Sequence, residues 1–155
     1  MTSPKPNLDL ALIGNGRIAA LVDAEASIVW ARFPAFDGDP VFCCLLGDGS
    51  AQDARGVWAV DVFERKHVTR RYLDHTAVVV IRVTDRSGGV LEITDCWPRF
   101  TRFGGLQQPM TTVRRVRRIA GSPRIVVRVR PMFQYGRTRP SITSAATTCA
   151  TCATT

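Results

Sequence analysis

A chain of 155 residues with 45% hydrophobic and 22% charged side chains holds enough apolar material for one domain with a real core and hardly enough for two. No apolar run reaches the roughly 18 residues that a membrane-crossing helix needs. The opening Met1-Thr-Ser-Pro-Lys-Pro lacks the charged-then-apolar order of a secretory signal, so a soluble, cytoplasmic chain with no membrane partner is expected. The formal charge of +8 and a pI of about 10.1 raise nucleic acid as a partner. Lys5 and Lys66 are the only lysines, however, and the arginines are scattered from Arg17 to Arg139. They form no single basic block, so no nucleic-acid partner is expected.

Five cysteines provide no disulfide framework. Cys43 and Cys44 are adjacent, Cys96 stands alone, and nothing points to an oxidising compartment. Cys149-Ala-Thr-Cys152 has metal-knuckle spacing but lacks a second ligand pair or a nearby His. Neither a metal nor a cofactor is expected.

In chain order, the segments read as short strands divided by turns. An apolar stretch at 8–13 meets Gly14-Asn15-Gly16, a hairpin signal, and 17–22 returns. A short β-rich run at 27–31 precedes 33–40, where Pro34, Gly38 and Pro40 exclude regular structure. The 41–46 segment reads as a buried strand or a turn of helix, closed by a turn at 47–50. Strands follow at 57–63, 75–84 and 90–95, the last entered from the Ser87-Gly88-Gly89 turn. The 111–119 and 124–130 segments, joined by Gly121-Ser122-Pro123, read as an antiparallel hairpin. Val113, Val116 and Ile119 repeat at helical spacing, but nine uncapped residues running into a Gly-Ser-Pro turn favour a strand. The sum is an all-β, antiparallel sandwich.

Gly14-Asn15-Gly16-Arg17-Ile18-Ala19 also fits the G-x-G-x-x-A turn of dinucleotide-binding folds. That turn must open a helix of about a dozen residues leading to a parallel strand. Here Asp23 to Ser27 interrupts after a few residues, and the hairpin reading prevails.

The stretch Leu12-Ile-Gly-Asn-Gly-Arg-Ile-Ala-Ala-Leu-Val-Asp23 is followed by Ser27-Ile-Val-Trp30, Phe33-Pro-Ala-Phe-Asp37 and Pro40-Val-Phe42. Further on come Arg70-Arg-Tyr-Leu73, Val90-Leu-Glu-Ile-Thr-Asp95 with Trp97-Pro98, and Arg130-Pro-Met-Phe-Gln-Tyr-Gly-Arg137. In this order the set resembles the N-terminal, trehalase-like domain of bacterial glycoside hydrolase family 15, the glucoamylase and trehalase group, over about residues 8–142. The resemblance implies a β-supersandwich preceding a helical (α/α)6 barrel. The barrel carries the acid and base that hydrolyse α-glucosidic bonds with inversion, two carboxyls roughly 6.5–9.5 Å apart. The sandwich itself offers no catalytic candidate. Glu92 and Asp95, its nearest acidic couple, are three apart on a strand and face opposite sides.

The module's expected role is to pack on the barrel and shape its mouth. The candidates are the Asn15-Gly16-Arg17 turn and the 33–42 loop. Arg32 and Asp37 are placed to bond sugar hydroxyls, and Phe33, Phe36 and Trp30 to stack on a ring or pack on a helix. A plainer assignment makes Phe36 and Trp30 core residues and Asp37 a turn former. The family loop more often reads Pro-Arg-Phe-Asp; Ala35 stands in place of that Arg, so its contacts are lost.

After Ile142 aromatic, aliphatic and charged residues vanish, leaving a low-complexity tail at 143–155. Codons of an Asn-His-containing family strand, read one base out of register, reproduce the tail from Ala145 to Thr155. The tail is therefore read as a shifted frame, the sandwich as truncated at that end, and Cys149 and Cys152 as without function. Residues 1–7 are expected to be disordered. The expected partners are the missing barrel, the α-glucosides it would act on, and a second copy of the chain through the surface meant for that barrel. The alternative is a free-standing β-sandwich binding carbohydrate or protein, with Trp30, Trp58 and Trp97 as its platform.

Overall fold

The computed structural model describes residues 8–46, 55–138, 140–144 and 149–153. The expected disorder at 1–7 and the turn at 47–50 lie outside them. The described residues form fourteen strands and two 3-10 turns, without an α-helix. The strands are β1 (Ala11–Gly14), β2 (Ala19–Val22), β3 (Ile28–Arg32), β4 (Pro40–Cys43), β5 (Val57–Val62), β6 (Arg65–Tyr72) and β7 (Val79–Asp85). They continue with β8 (Val90–Cys96), β9 (Phe100–Arg102), β10 (Gly105–Gln107), β11 (Val113–Ala120), β12 (Ile125–Arg130), β13 (Pro140–Ser144) and β14 (Cys149–Ala153).

Two antiparallel sheets make the sandwich. One runs β1-β2-β3-β5-β12, with β4 also on β3, and the other runs β11-β8-β7-β6. The edge of β3 is shared: Ile28 pairs with Trp58 of β5, while Trp30, Ala31 and Arg32 pair with β4. Between the sheets lie Ile13, Val22, Ile28 and Val60 from one side and Val79, Ile81, Leu91 and Ile93 from the other. Their removal from water is the main force holding the layers together.

The Gly14-Asn15-Gly16 turn is a hairpin, as its glycines indicate. β1 and β2 pair from Ala11↔Val22 to Gly14↔Ala19, which excludes a parallel crossover. Gly16 takes φ 87, a left-handed conformation that glycine adopts without strain. A Cβ on Gly14 would stand 2.9 Å from the Ile18 carbonyl oxygen.

The expected hairpin of 111–119 with 124–130 is not formed. β11 pairs with β8 and β12 with β5, so the Gly121-Ser122-Pro123 turn carries the chain from one sheet to the other. Strand alternation is the same for either partner, so the local pattern does not choose between them. The strand expected at 75–84 begins only at Val79, because His75 takes φ 58 in a turn where the Thr76 hydroxyl donates to Leu73 O. The 41–46 segment is both things expected of it, strand β4 and then a 3-10 turn at Cys44–Leu46.

A charged pair on the adjacent strands β8 and β11 lies in the core. Arg114 and Asp95 have side chains 2% and 0% exposed. Arg114 Nε and Nη2 each donate to a carboxylate oxygen at 2.7 Å, and Nη1 donates to Trp58 O of the opposite sheet at 2.7 Å. The guanidinium also lies over the Trp58 ring, 5.3 Å from its centroid. Paired and hydrogen-bonded on every side, the two charges tolerate burial. At β1 the sandwich is closed by side chains: the Tyr72 hydroxyl accepts from Leu12 N at 2.8 Å and donates to Leu12 O at 3.0 Å. Arg70 donates to Asp9 O and Val22 O.

Candidate functional site

Asn15 is buried at the β1–β2 turn. Its side-chain amide donates to Pro98 O at 3.3 Å and Pro109 O at 3.1 Å. Its Oδ1 accepts from Arg17 N at 3.0 Å and Ile18 N at 3.2 Å. That uses the full hydrogen-bonding capacity of the group, so Asn15 clamps the turn to the 98–109 segment. The Gln108 amide adds a bond to Asn15 O at 2.6 Å.

The same segment receives the 33–39 loop. Phe33 packs on Trp97 with ring centroids 4.9 Å apart at 47°, and Trp97 is buried. Arg32 Nη1 donates to Phe36 O at 2.9 Å, and its guanidinium lies 5.4 Å from the Trp30 ring centroid. Gly38 N donates to Ala35 O at 3.1 Å. The loop is thus held by its own backbone and by Phe33, with Phe36 and Asp37 left exposed.

Around the Trp97-Pro98 pivot the structure therefore unites the turn and the loop. It separates their side chains into two groups. Asn15 and Phe33 face inward and hold the scaffold, whereas Arg17, Phe36 and Asp37 face solvent, with Arg32 bridging the two groups.

Sequence reasoning missed the β9–β10 hairpin, which leaves the same pivot. Its strands pair from Phe100↔Gln107 to Arg102↔Gly105, and its turn places Phe103 and Gly104 at φ 51 and 71. Phe103, at the tip, is 94% exposed, and Phe100 and Leu106 are about half exposed. Arg102 lies over the Phe103 ring, 4.9 Å from the centroid. The Phe103-Gly104-Gly105 triplet was the available signal.

The acids of β8 are locked in ion pairs. Glu92 bonds Arg117 at 2.7 Å and Arg82 at 2.9 Å; the hydrogen bonds from Arg117 and then Arg82 hold its carboxyl below the usual range. Asp95 faces the core with Arg114, so the two acids lie on opposite faces as their spacing predicts. In the β2–β3 turn, Asp23 Oδ1 accepts from Glu25 N and Ser27 N, yet burial pushes this carboxyl up. Burial, with Asp23 and Cys43 nearby, pushes the Cys44 thiol up to about 11. Burial also raises Cys43 and Cys96. Such thiols stay protonated near neutrality and make poor nucleophiles and metal ligands. Among the described residues no three His, Cys, Asp or Glu side chains are grouped to hold a metal, and no helix is long and apolar enough to cross a membrane.

The trehalase-like, N-terminal family model matches residues 3–154. Trehalase 1 of Sulfolobus acidocaldarius is 36% identical over 135 residues, which are 86% of this chain and 21% of that protein. The chain thus spans about a fifth of the length of this curated relative. No solved structure matches. With its sandwich, its Trp97-Pro98 pivot and a family match along nearly its whole length, the chain belongs to the trehalase-like N-terminal family.

Proposed function

We propose that residues 8–142 act as the accessory β-sandwich of a family 15 glycoside hydrolase, beside an (α/α)6 barrel that carries the acid and base, and that the sandwich is inactive by itself. The substrate class of the whole enzyme is an α-glucoside, trehalose or a glucose oligomer, and its place is the cytoplasm. The observation that carries this reading is the end of the sandwich built on Trp97 and Pro98. There a clamped turn and a loop present Arg17, Phe36 and Asp37, and a hairpin projects Phe103. Exposed aromatics among guanidiniums on a rigid support suit packing against a second domain at the edge of its sugar cleft. The locking of Glu92 and Asp95 by arginines argues against a hydrolytic pair within the sandwich, since an acid and base must be free to exchange protons.

The test is a chimera in which this chain replaces the matching fifth of the Sulfolobus protein. Trehalose hydrolysis is expected of the chimera, reduced several-fold by Phe36→Ala with Phe103→Ala, while the isolated chain releases no glucose from trehalose or maltotriose. Glucose release by the isolated chain, or a folded chimera indifferent to both substitutions, would overturn the reading.

A free-standing binding module is the second reading, and Phe103 favours it. Of the three tryptophans expected as its platform, Trp97 is buried, Trp58 packs on the core beneath Arg114, and Trp30 is half-buried under Arg32.

A further inference from the structure

The two ends of the larger sheet are finished differently. At β1 the Tyr72 hydroxyl and Arg70 occupy backbone groups of the edge. At the other end β12 pairs with β5 along all six of its residues, and among the described residues no strand pairs with its outer edge.

The register shows what that edge presents. Ile125, Val127 and Val129 stand opposite Val62, Val60 and Trp58, so they share the face turned toward the second sheet. Val60 and Val62 are 2% and 9% exposed there, whereas Ile125, Val127 and Val129 are 40%, 52% and 45% exposed. The second sheet ends at β11, whose Val116 is also 37% exposed. On the outer face of β12, Val126 is 60% exposed. Gly56 N donates to Arg130 O and Phe63 N to Arg124 O, so the even-numbered residues bond toward β5. By alternation, the N–H and C=O groups of Ile125, Val127 and Val129 point outward. An edge strand whose inner face is apolar, whose outer face carries Val126 beside Arg128 and Arg130, and whose free backbone groups point outward is a template for another strand.

We propose that this edge pairs with the β12 edge of a second copy of the chain, antiparallel, about a two-fold axis through Val127. Of the two-fold registers that keep the apolar faces together, this one opposes all three residues whose backbone groups point outward. It sets Ile125 against Val129 of the second copy and Val127 against its twin, with both apolar faces on one side of a continuous sheet. A one-residue slip would turn the two faces to opposite sides. The residues directly opposed at the axis are those whose backbone groups point outward, as a hydrogen-bonded antiparallel pair requires.

The size of the patch sets the strength. Five half-exposed aliphatic side chains amount to roughly 300–400 Å² per copy, about half of what a standard stable interface buries on each partner. The dimer is therefore weak and reversible. Each copy carries a formal net charge of +8, so charge opposes association. Added salt strengthens the dimer, the reverse of an ion-paired contact.

Sedimentation equilibrium of the full chain tests this at protein concentrations on the order of 10 μM to 1 mM, a range that brackets a weak dissociation constant. The salt arms are about 0.01 M and about 1 M NaCl, across which the screening length falls from roughly 30 to 3 Å. A monomer–dimer equilibrium that tightens with salt is expected. Val127→Asp should weaken it at least tenfold, whereas Leu12→Asp, at an exposed site on β1, leaves it unchanged. Amide exchange at Ile125, Val127 and Val129 of the unsubstituted chain should slow as its concentration rises, a readout that needs no variant to fold. A monomer throughout, open-ended oligomers, or exchange at these amides that is independent of concentration would overturn the proposal. None of these readouts depends on hydrolysis, so this proposal and the accessory-module reading fail separately.

Discussion

Replacing Arg114 by Met strands the Asp95 carboxylate, which is fully buried beside Ile93 and Leu91 on the core face of β8. It also removes the donor to Trp58 O. A stranded carboxylate escapes its burial by taking a proton. At pH 7 that costs roughly 1.4 kcal/mol for each pH unit above the ordinary carboxylate range, about 4 kcal/mol in all. The figure agrees with the roughly 3–5 kcal/mol seen when one partner of a buried ion pair is removed. For a domain of this size about 4 kcal/mol lowers Tm by roughly 8–16 °C. Urea and thermal melts followed by circular dichroism from neutral to acid pH measure it. The deficit should shrink steadily as the pH falls, because protonation of the stranded acid becomes easier. The double variant Arg114→Met with Asp95→Leu should recover most of the stability, since an apolar pair of similar volume replaces a buried ion pair at little cost. A single variant within about 1 kcal/mol of the parent at pH 7, or a deficit that does not change with pH, would refute the reasoning.

Two further outcomes follow from the hydrogen-bonding pattern. Asn15→Ala should lose about 2–4 kcal/mol in denaturant melts, because Pro98 O, Pro109 O and two backbone N–H groups lose their partner together; Asn15→Asp should restore only part of this, since it accepts but cannot donate. The two perturbed carboxyls should respond to acid with opposite signs. Glu92, held low by Arg117 and Arg82, contributes stability above its unfolded pKa that is lost as pH falls through the folded one, so Glu92→Gln should lower stability at neutral pH and match the parent in strong acid. Asp23, raised by burial, opposes folding once the pH exceeds its folded pKa, so Asp23→Asn should be neutral or stabilising at pH 7, with the advantage vanishing in acid; melts across the acid range separate the two.

The β1–β2 hairpin was legible because two glycines and an early polar break allow no crossover helix. The β8 strand was legible because Leu91, Ile93 and Asp95 alternate with Glu92 and Thr94. β6 was not, since Arg65-Lys-His-Val-Thr-Arg-Arg-Tyr72 carries little apolar signal; it becomes a strand by pairing with β7 and through the reach of Arg70 and Tyr72 to the other sheet. Within the candidate site, the turn and the loop were visible as turn chemistry, but which side chains face solvent was not. Local sequence records whether Asn15 and Phe33 are polar or aromatic; it does not record that Pro98, Pro109 and Trp97 arrive from distant parts of the chain to claim them.

By itself the sequence determined the all-β class and most strand positions, because alternation and turn residues are local properties of the chain. Only the tertiary structure decided which sheet β12 joins, where the Arg114–Asp95 pair lies and which edge stays open. Those depend on contacts between segments far apart in the chain, for which many pairings satisfy the same alternation and only packing selects one.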